Sequence, residues 1–100
     1  MRVLTKEERA LGLERAMAAR KAKADVRRRA AAGELPISRA LEAPEAQGLP
    51  LGYLIASYRG IGSVRAASIL ESVGLDTARR VRSIGIRQRE AIVSRMGRWD

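Results

Sequence analysis

The sequence contains no cysteine, no histidine and no phenylalanine. Without cysteine and histidine there are no disulfides, no thiolate or imidazole metal sites, no cysteine nucleophile and no imidazole general base. The acidic residues are scattered singly apart from Glu7-Glu8, so they do not suggest a carboxylate metal site either. These absences predict a chain without catalytic residues, metal, cofactor or small-molecule substrate.

Aromatic residues make up only 3% of the chain, and no apolar run approaches the ~20 residues that a membrane-spanning helix needs. The N-terminus lacks the apolar block of a signal peptide. We therefore expect a cytoplasmic protein that does not bind membranes. Tyr53 and Tyr58 are expected in the core, which leaves no aromatic platform for stacking single-stranded nucleic acid.

The chain has a formal net charge of +9, with 20 basic against 11 acidic residues, and most of the basic residues are arginine. Guanidinium groups match phosphate oxygens and guanine edges well. A GC-rich genome that favours arginine codons also explains part of this bias, but the net charge remains. Residues 1–33 carry +6, residues 34–58 carry −2 and residues 59–100 carry +5. The two basic blocks predict a polyanion, most simply a nucleic acid, as the partner.

The first basic block has the composition of one long helix. Thr5 is a suitable N-cap, and Glu8 three positions later completes a capping box. The residues that follow are mostly strong helix formers, and Gly33 is a natural helix stop. A thin apolar stripe that includes Leu13 and Met17 predicts that the first half of this helix packs and the second half projects as a basic arm.

Three cations share one face of the expected arm, because Arg20, Lys23 and Arg27 are spaced at i, i+3 and i+7. Arg28 and Arg29 add further positive charge beside them. Such a face gains little from packing, so an anionic partner would help to order it. The alternative is a solvated helix surface whose charges pair with one another.

The remaining residues predict short helices and no strand. The expected elements are a helix from Ser38 to about Ala46, a helix from Pro50 to Ser57, helices over residues 63–73 and 86–96, an arginine-rich turn capped by Asp76, and a frayed tail at residues 98–100. Proline and glycine mark the boundaries, and no segment alternates apolar with polar residues. The predicted fold class is all-α, a single domain with residues 1–33 as a long basic arm and residues 34–100 as a helical body.

The segment Arg59-Gly60-Ile61-Gly62 joins two of these helices. A Gly-apolar-Gly turn of this kind leaves the backbone amides of Gly62, Ser63 and Val64 unpaired and exposed at a helix N-terminus. Such a terminus carries about half a positive charge and binds anions, and glycine lets a phosphate approach the backbone. An ordinary tight turn between helices would also use glycines and is the alternative explanation.

A shift of 23 residues aligns this turn with Arg82-Ser83-Ile84-Gly85, which predicts a second loop of the same construction. The arginines around the second loop are Arg79, Arg80, Arg82, Arg87 and Arg89. No acidic residue lies among them, so their mutual repulsion favours binding of an anion. Both loops are therefore expected to hold backbone phosphates, which position a protein on nucleic acid without specifying sequence.

The spacing of Gly60, Gly62, Ala66, Ile69 and Leu70 resembles that of helix-hairpin-helix elements, which bind DNA without sequence specificity. More widely, residues 4–96 resemble the actinobacterial integration host factor family. The resemblance rests on Leu4-Thr5, Glu8-Arg9, Ala24, Val26, Arg27, Gly33-Glu34, Gly60-Ile61-Gly62, Val64-Arg65-Ala66, Arg79-Arg80-Val81-Arg82, Ile84-Gly85 and Gln88-Arg89. It implies a long N-terminal helix, a helix-two-turn-helix-like body, and binding of double-stranded DNA with bending or compaction and support of site-specific recombination.

The chain departs from the family pattern at several positions. Arg59 stands where the family usually has proline, Ser63 where it has lysine, and Ser83 where it tends to have glycine. Leu49-Pro50-Leu51 replaces a segment that carries lysine in the family. These differences suggest a divergent member carried by a phage or plasmid, with altered affinity and DNA geometry.

We therefore predict a nucleoid-associated, largely sequence-non-specific double-stranded DNA-binding protein, not an enzyme, that acts as a monomer and assists a recombinase complex. The predicted DNA-binding residues are Arg59, Gly60, Gly62, Ser63, Val64, Arg65, Arg79, Arg80, Arg82, Ser83, Gly85, Arg87, Arg89, Arg20, Lys23 and Arg27. The main alternative is binding to structured RNA or the ribosome. Two weaker alternatives are a DNA-repair glycosylase, disfavoured because no substrate pocket is expected around Asp76, and a basic module for an acidic protein.

Overall fold

The computed structural model describes residues 3–100 and shows an all-α fold, as predicted. The five α-helices are α1 (Lys6–Ala31), α2 (Ile37–Glu42), α3 (Leu51–Ala56), α4 (Gly62–Ser72) and α5 (Ile86–Arg95). Short 3₁₀ turns occur at Pro44–Ala46, Val81–Ser83 and Gly97–Trp99. No strand forms within residues 3–100, and the only β-type pairing there is an isolated bridge between Pro50 and Arg80.

Helix α1 begins and ends where the sequence predicts. The side chain of Thr5 accepts a hydrogen bond of 3.1 Å from the amide of Glu8, which is the predicted N-cap. At the other end, Gly33 adopts a φ of +75°, a left-handed conformation that glycine tolerates without strain. The amide of Glu34 then donates to the carbonyl of Arg29 at 2.9 Å and closes the helix.

The prediction that the first half of α1 packs on the body is wrong, because the packed half is the second one. Val26 and Ala30 are buried, whereas the side chains of Leu13 and Met17 are each 59% exposed. At 3.6 residues per turn, Leu13 and Met17 lie on the far side of the helix from Val26 and Ala30. The body therefore binds the end of α1 that continues into it, and the N-terminal half projects.

The hydrophobic core is formed by helices α2, α3, α4 and α5 together with the C-terminal end of α1. Its largest fully buried side chains are Ile37, Leu41, Leu51, Leu54, Ile55, Leu70, Ile92, Met96, Val26 and Val81. Tyr58 is buried as predicted, and its hydroxyl donates to the carbonyl of Leu35 at 2.8 Å. Burial, with a smaller contribution from the negative charge of Asp100, raises the pKa of this hydroxyl. The core crosses the predicted boundary at residue 33 because Val26 belongs to it.

The segment before α3 differs from its prediction. Helix α2 ends at Glu42, and the 3₁₀ turn Pro44–Ala46 follows instead of a continuous helix to Ala46. The N-cap of α2 is Pro36 and not Ser38, whose amide donates to a side-chain oxygen of Asp100 at 3.0 Å. Pro44 explains the break, since proline disfavours a helical conformation in the residue before it.

Residues 49–52, at the start of α3, lie beside residues 77–81, which lead into the second loop. The amide of Leu51 donates to the carbonyl of Arg79 at 2.7 Å, and the amide of Val81 donates to the carbonyl of Leu49 at 3.0 Å. The amide of Gly52 also donates to the carbonyl of Thr77 at 3.0 Å. These bonds fix the backbone of the arginine-rich segment against the start of α3.

We expect Gly12→Ala to increase the helix content of the protein while leaving the melting temperature of the body almost unchanged. Gly12 lies inside the projecting half of α1, and a Cβ there would contact nothing within 4 Å. Alanine stabilises a helix interior by about 0.5–1 kcal/mol relative to glycine. Far-ultraviolet circular dichroism would measure the gain. The same substitution at Gly33, with its φ of +75°, should be destabilising, and a gain there would contradict this explanation.

Candidate nucleic-acid interface

The first hairpin has the geometry that the sequence predicts. Gly60 and Gly62 adopt φ values of +87° and +69°, which favour glycine. The hairpin closes with a 3.1 Å hydrogen bond from the amide of Ile61 to the carbonyl of Tyr58. Ile61 is buried under the turn, and Gly60 and Gly62 are exposed. A Cβ at either glycine would meet no atom within 4 Å, so the space in front of the turn is open.

The first amides of α4 are available to a ligand. Gly62, Ser63 and Val64 begin the helix, and their amides have no hydrogen-bond acceptor in residues 3–100. All three residues are exposed, and the side chain of Val64 is 86% exposed. Val64 therefore does not lie on the inward face of this helix. Three free amides at the positive end of an eleven-residue helix form an anion-binding terminus.

The C-terminal tail is ordered against the hairpin, so the prediction of a frayed tail is wrong. The indole Nε1 of Trp99 donates to the carbonyl of Arg59 at 2.9 Å. The carboxylate of Asp100 accepts from Ser38 in α2, and the hydroxyl and the amide of Ser38 lower the pKa of this carboxyl. The indole packs partly buried against the core. A tryptophan at this position offers both apolar area and a donor, which is why the tail is held.

The second loop is built differently from the first, which corrects the prediction of two identical turns. Gly85 has a φ of −84°, which any residue can adopt. Its amide is occupied by the side-chain oxygen of Gln88 at 3.1 Å. The amides of Ile86, Arg87 and Gln88 begin α5 and have no acceptor within the described chain. The second loop therefore offers a helix N-terminus but not the left-handed glycines of the first. The side chain of Ile86, at the start of α5, is 72% exposed.

Asp76 caps the arginine-rich turn as predicted, because its carboxylate accepts from the amide of Ala78 at 3.0 Å. Arg79 then donates through Nε to the hydroxyl of Ser83 and through a terminal nitrogen to the carbonyl of Ser83, both at 3.1 Å. Arg80 donates to the carbonyl of Gly48 at 2.9 Å. The hydroxyl of Ser83 also donates to the carbonyl of Arg80 at 2.8 Å. These side chains hold the loop in shape.

Arg27 joins α1 to α3 and does not lie free on the arm. Its guanidinium donates to the hydroxyls of Ser57 at 3.2 Å and Tyr53 at 3.1 Å, and it lies 4.4 Å from the centre of the Tyr53 ring. Tyr53 is 41% exposed and is not a core residue as predicted. Arg28 and Arg29 also form ion pairs within the protein. Both pair with Asp25 at 3.1 Å, and Arg29 also pairs with Glu45 at 2.9 Å.

The ten basic residues among the predicted site residues therefore fall into two groups. Arg20, Lys23, Arg59, Arg82 and Arg87 have exposed side chains that make no hydrogen bond or ion pair with the rest of residues 3–100. Arg27, Arg65, Arg79, Arg80 and Arg89 contact their own protein; Arg89 pairs with Glu42 at 3.8 Å, and Arg65 donates to the carbonyl of Gly60 at 3.4 Å. The first group can neutralise a ligand's charge directly. The second group is held in place by these contacts within the protein.

A cleft of about 350 Å³ connects these parts of the surface. It is lined by Gly52, Tyr53, Ser63, Ala67, Thr77 and Ala78. Ser63 comes from the free end of α4, Tyr53 supports Arg27, and Thr77 lies just before the arginine-rich segment. The cleft therefore places the start of α4 beside residues of α3 and of the segment that precedes the second loop. The sequence analysis did not single out Gly52, Thr77 or Trp99 as part of this surface. The one available signal was Gly52, because a glycine inside a short helix is unusual and indicates a close contact, here with Thr77.

The described part of the chain shows no group of three or more acidic side chains able to hold a metal ion. None of its helices combines the length and apolar character needed to cross a membrane.

Comparisons with known proteins agree with this geometry. Residues 49–96 match the family described as "S13-like H2TH domain". The chain is 34% identical to an Integration host factor of Mycobacterium tuberculosis, covering 94% of this chain and 93% of that protein. It is 37% identical to an Integration host factor of Streptomyces coelicolor, covering 85% of this chain and 83% of that protein.

A solved structure has a similar fold over most of the chain. It is described as sIHF bound to an 8bp palindromic DNA, with a TM-score of 0.74 and 28% sequence identity, and the match covers 87% of this chain and 99% of that one. None of these names is that of an enzyme, in agreement with the non-enzymatic prediction. The chain therefore belongs to the integration host factor family of actinobacteria.

Proposed function

We propose that this protein binds double-stranded DNA through its phosphates, as a nucleoid-associated protein with little sequence preference. The observation that carries the proposal is the free N-terminus of α4, where three exposed amides follow the two left-handed glycines of the hairpin. A backbone phosphate fits this site because it is anionic, accepts several hydrogen bonds, and needs the close approach that Gly60 and Gly62 permit. The DNA in the similar sIHF structure supports this choice of ligand.

The exposed cations extend the contact beyond one phosphate. Arg59 flanks the hairpin, while Arg82 and Arg87 flank the second loop. Arg20 and Lys23 lie on α1 before its anchored end. Together with the two helix N-termini these five cations would contact about seven phosphates.

The side chains suited to reading adenine are scarce or already occupied. The sequence contains no asparagine. The amide nitrogen of Gln47 donates to the carbonyls of Leu41 and Ala43, each at 3.0 Å, and Gln88 accepts from Gly85. Asparagine and glutamine are the usual readers of adenine, so their scarcity disfavours a sequence preference at A·T pairs. Bending or compaction of the DNA, action as a monomer, and assistance to a recombinase are further parts of the proposal.

A salt titration tests this function. The equilibrium constant for a random-sequence duplex should fall with salt on a log–log plot with a slope of about −5 to −9, because bound phosphates release counterions. AT-rich and GC-rich duplexes should give nearly the same slope and affinity. A slope near zero would contradict the proposal. Stronger binding to duplex RNA than to duplex DNA at equal salt would favour the RNA-binding alternative instead.

Two variants sharpen the same titration. Arg82→Ala removes a free cation beside the second loop, so it should weaken all duplexes about equally and reduce the steepness of the slope by about one. Arg39→Ala removes an equally exposed cation from α2, in the acidic middle block of the sequence, and should leave the slope unchanged. Equal effects of both variants would show that net charge alone drives binding.

A further inference from the structure

The C-terminal tail contacts the hairpin that we propose binds DNA, and these contacts have no role in the function as proposed so far. The carbonyl of Arg59 belongs to the residue just before Gly60, and it accepts from the indole of Trp99 at 2.9 Å. This bond links the C-terminal tail to the middle of the body across forty positions of sequence. It constrains the backbone immediately before the left-handed glycine that turns the chain toward the free amides of α4.

Trp99 also orients a cation of the hairpin. The guanidinium carbon of Arg65 lies 5.3 Å from the centre of the indole ring, within cation–π range. A terminal nitrogen of the same guanidinium donates to the carbonyl of Gly60 at 3.4 Å. Arg65 is one turn into α4 and exposed, so the ring and the carbonyl hold its charge over the hairpin. A cation held in this way loses less side-chain entropy when a phosphate binds.

The tail is itself held at its other end. The carboxylate of Asp100 accepts from the amide of Ser38 at 3.0 Å, at the start of α2. The tail therefore spans from α2 to the hairpin, with the indole between two fixed points. Arg98 also lies 5.6 Å from the ring centre but makes no hydrogen bond to the hairpin within the described residues.

We propose that Trp99 is a positioning residue for DNA binding, which fixes the Arg59–Gly60 backbone and orients Arg65 toward a phosphate. The inference depends on the proposed function, since it concerns how the same hairpin binds DNA. It predicts that loss of the indole weakens binding through the hairpin even when the fold is intact. It further predicts that the effects of Trp99 and Arg65 depend on each other.

The variant Trp99→Phe keeps an aromatic ring but removes the donor to Arg59. We expect duplex affinity to fall about 3- to 10-fold, the equivalent of one neutral hydrogen bond. The salt slope should become less steep by up to about one, because Arg65 is less well placed to meet a phosphate. In an Arg65→Ala background, Trp99→Phe should have a smaller effect on affinity than in the wild type.

Asp100→Ala serves as the structural control. It removes the bond to Ser38 at the far end of the tail while the indole and the hairpin keep their groups. It should lower the melting temperature slightly and weaken duplex binding less than Trp99→Phe does, because the indole keeps its own bond to Arg59. Purely additive effects of Trp99→Phe and Arg65→Ala, or a wild-type slope and affinity in Trp99→Phe, would overturn the inference while leaving the proposed function intact. Failure of the wild-type protein to bind duplex DNA would instead reject both.

Discussion

Replacing Gly62 with valine is expected to lower the affinity for duplex DNA by about 10- to 100-fold. Gly62 has a φ of +69° and supplies the first of the three free amides of α4. A valine side chain would occupy the open space through which a phosphate approaches, and hydrogen bonds to a charged acceptor contribute about 1.5–3 kcal/mol. The left-handed conformation would also strain a β-branched residue, so part of the folding stability should be lost. Fluorescence anisotropy with a labelled duplex would measure the affinity, and circular dichroism the fold.

Gly74→Val separates the two effects. Gly74 ends the same helix with a φ of +75°, and a Cβ there also meets no atom within 4 Å. The backbone strain is therefore similar, about 1–3 kcal/mol, but the residue lies at the negative end of α4 and away from the free amides. We expect Gly74→Val to lower the melting temperature without a matching loss of DNA affinity. If both variants lose affinity to the same degree, strain and not phosphate access explains the loss.

Gly52→Ala is expected to destabilise the protein by about 1–3 kcal/mol, the usual cost of forcing extra volume into a close contact. A Cβ on Gly52 would lie 2.7 Å from the Cβ of Thr77 and 3.2 Å from its Cα. Because the second distance is to the backbone, a change of side-chain conformation cannot relieve the overlap. The segment that includes Thr77 and Arg79 must then move away from α3, which also weakens the two nearby backbone hydrogen bonds. Thermal or urea unfolding would measure the loss.

Gly48→Ala is the matched control for this prediction. A Cβ on Gly48 would approach only the guanidinium of Arg82, at an ordinary contact distance of 3.9 Å. Both glycines lie in the segment that pairs with the arginine-rich loop, so the comparison isolates the close approach itself. Stability changes of the same size in both variants would show that the close approach of Gly52 to Thr77 does not explain the loss.

Local features of the sequence predicted local structure well. The cap at Thr5, the stop at Gly33, the turn at Gly60 and Gly62, and the cap at Asp76 each depend on residues within four positions. Such features are encoded by backbone conformation and short-range hydrogen bonds, which a sequence displays directly. The free amides at α4 follow from the same local rules.

Features that depend on distant partners were not predictable in the same way. The prediction of which half of α1 packs on the body was wrong because α1 carries two separate apolar faces. Only the burial of Val26 shows which of these faces contacts the body. Arg27 is held by a hydrogen bond to Tyr53, twenty-six positions away, and Trp99 by a hydrogen bond to Arg59, forty positions away. A charge count treats all arginines alike, whereas the fold divides them into cations with free side chains and cations held by contacts within the protein. The assignment of individual residues to DNA stays a prediction.

The one-sided anchoring of α1 has a consequence for its thermodynamics. The segment near Val26 shares the cooperative unfolding of the core, because it is part of it. The segment near Leu13 has no tertiary contact of that kind, so its order is set by a helix–coil equilibrium of its own. Temperature and counterions therefore change the helix content of the two ends of α1 separately. The projecting N-terminal end responds to its ionic surroundings long before the body melts.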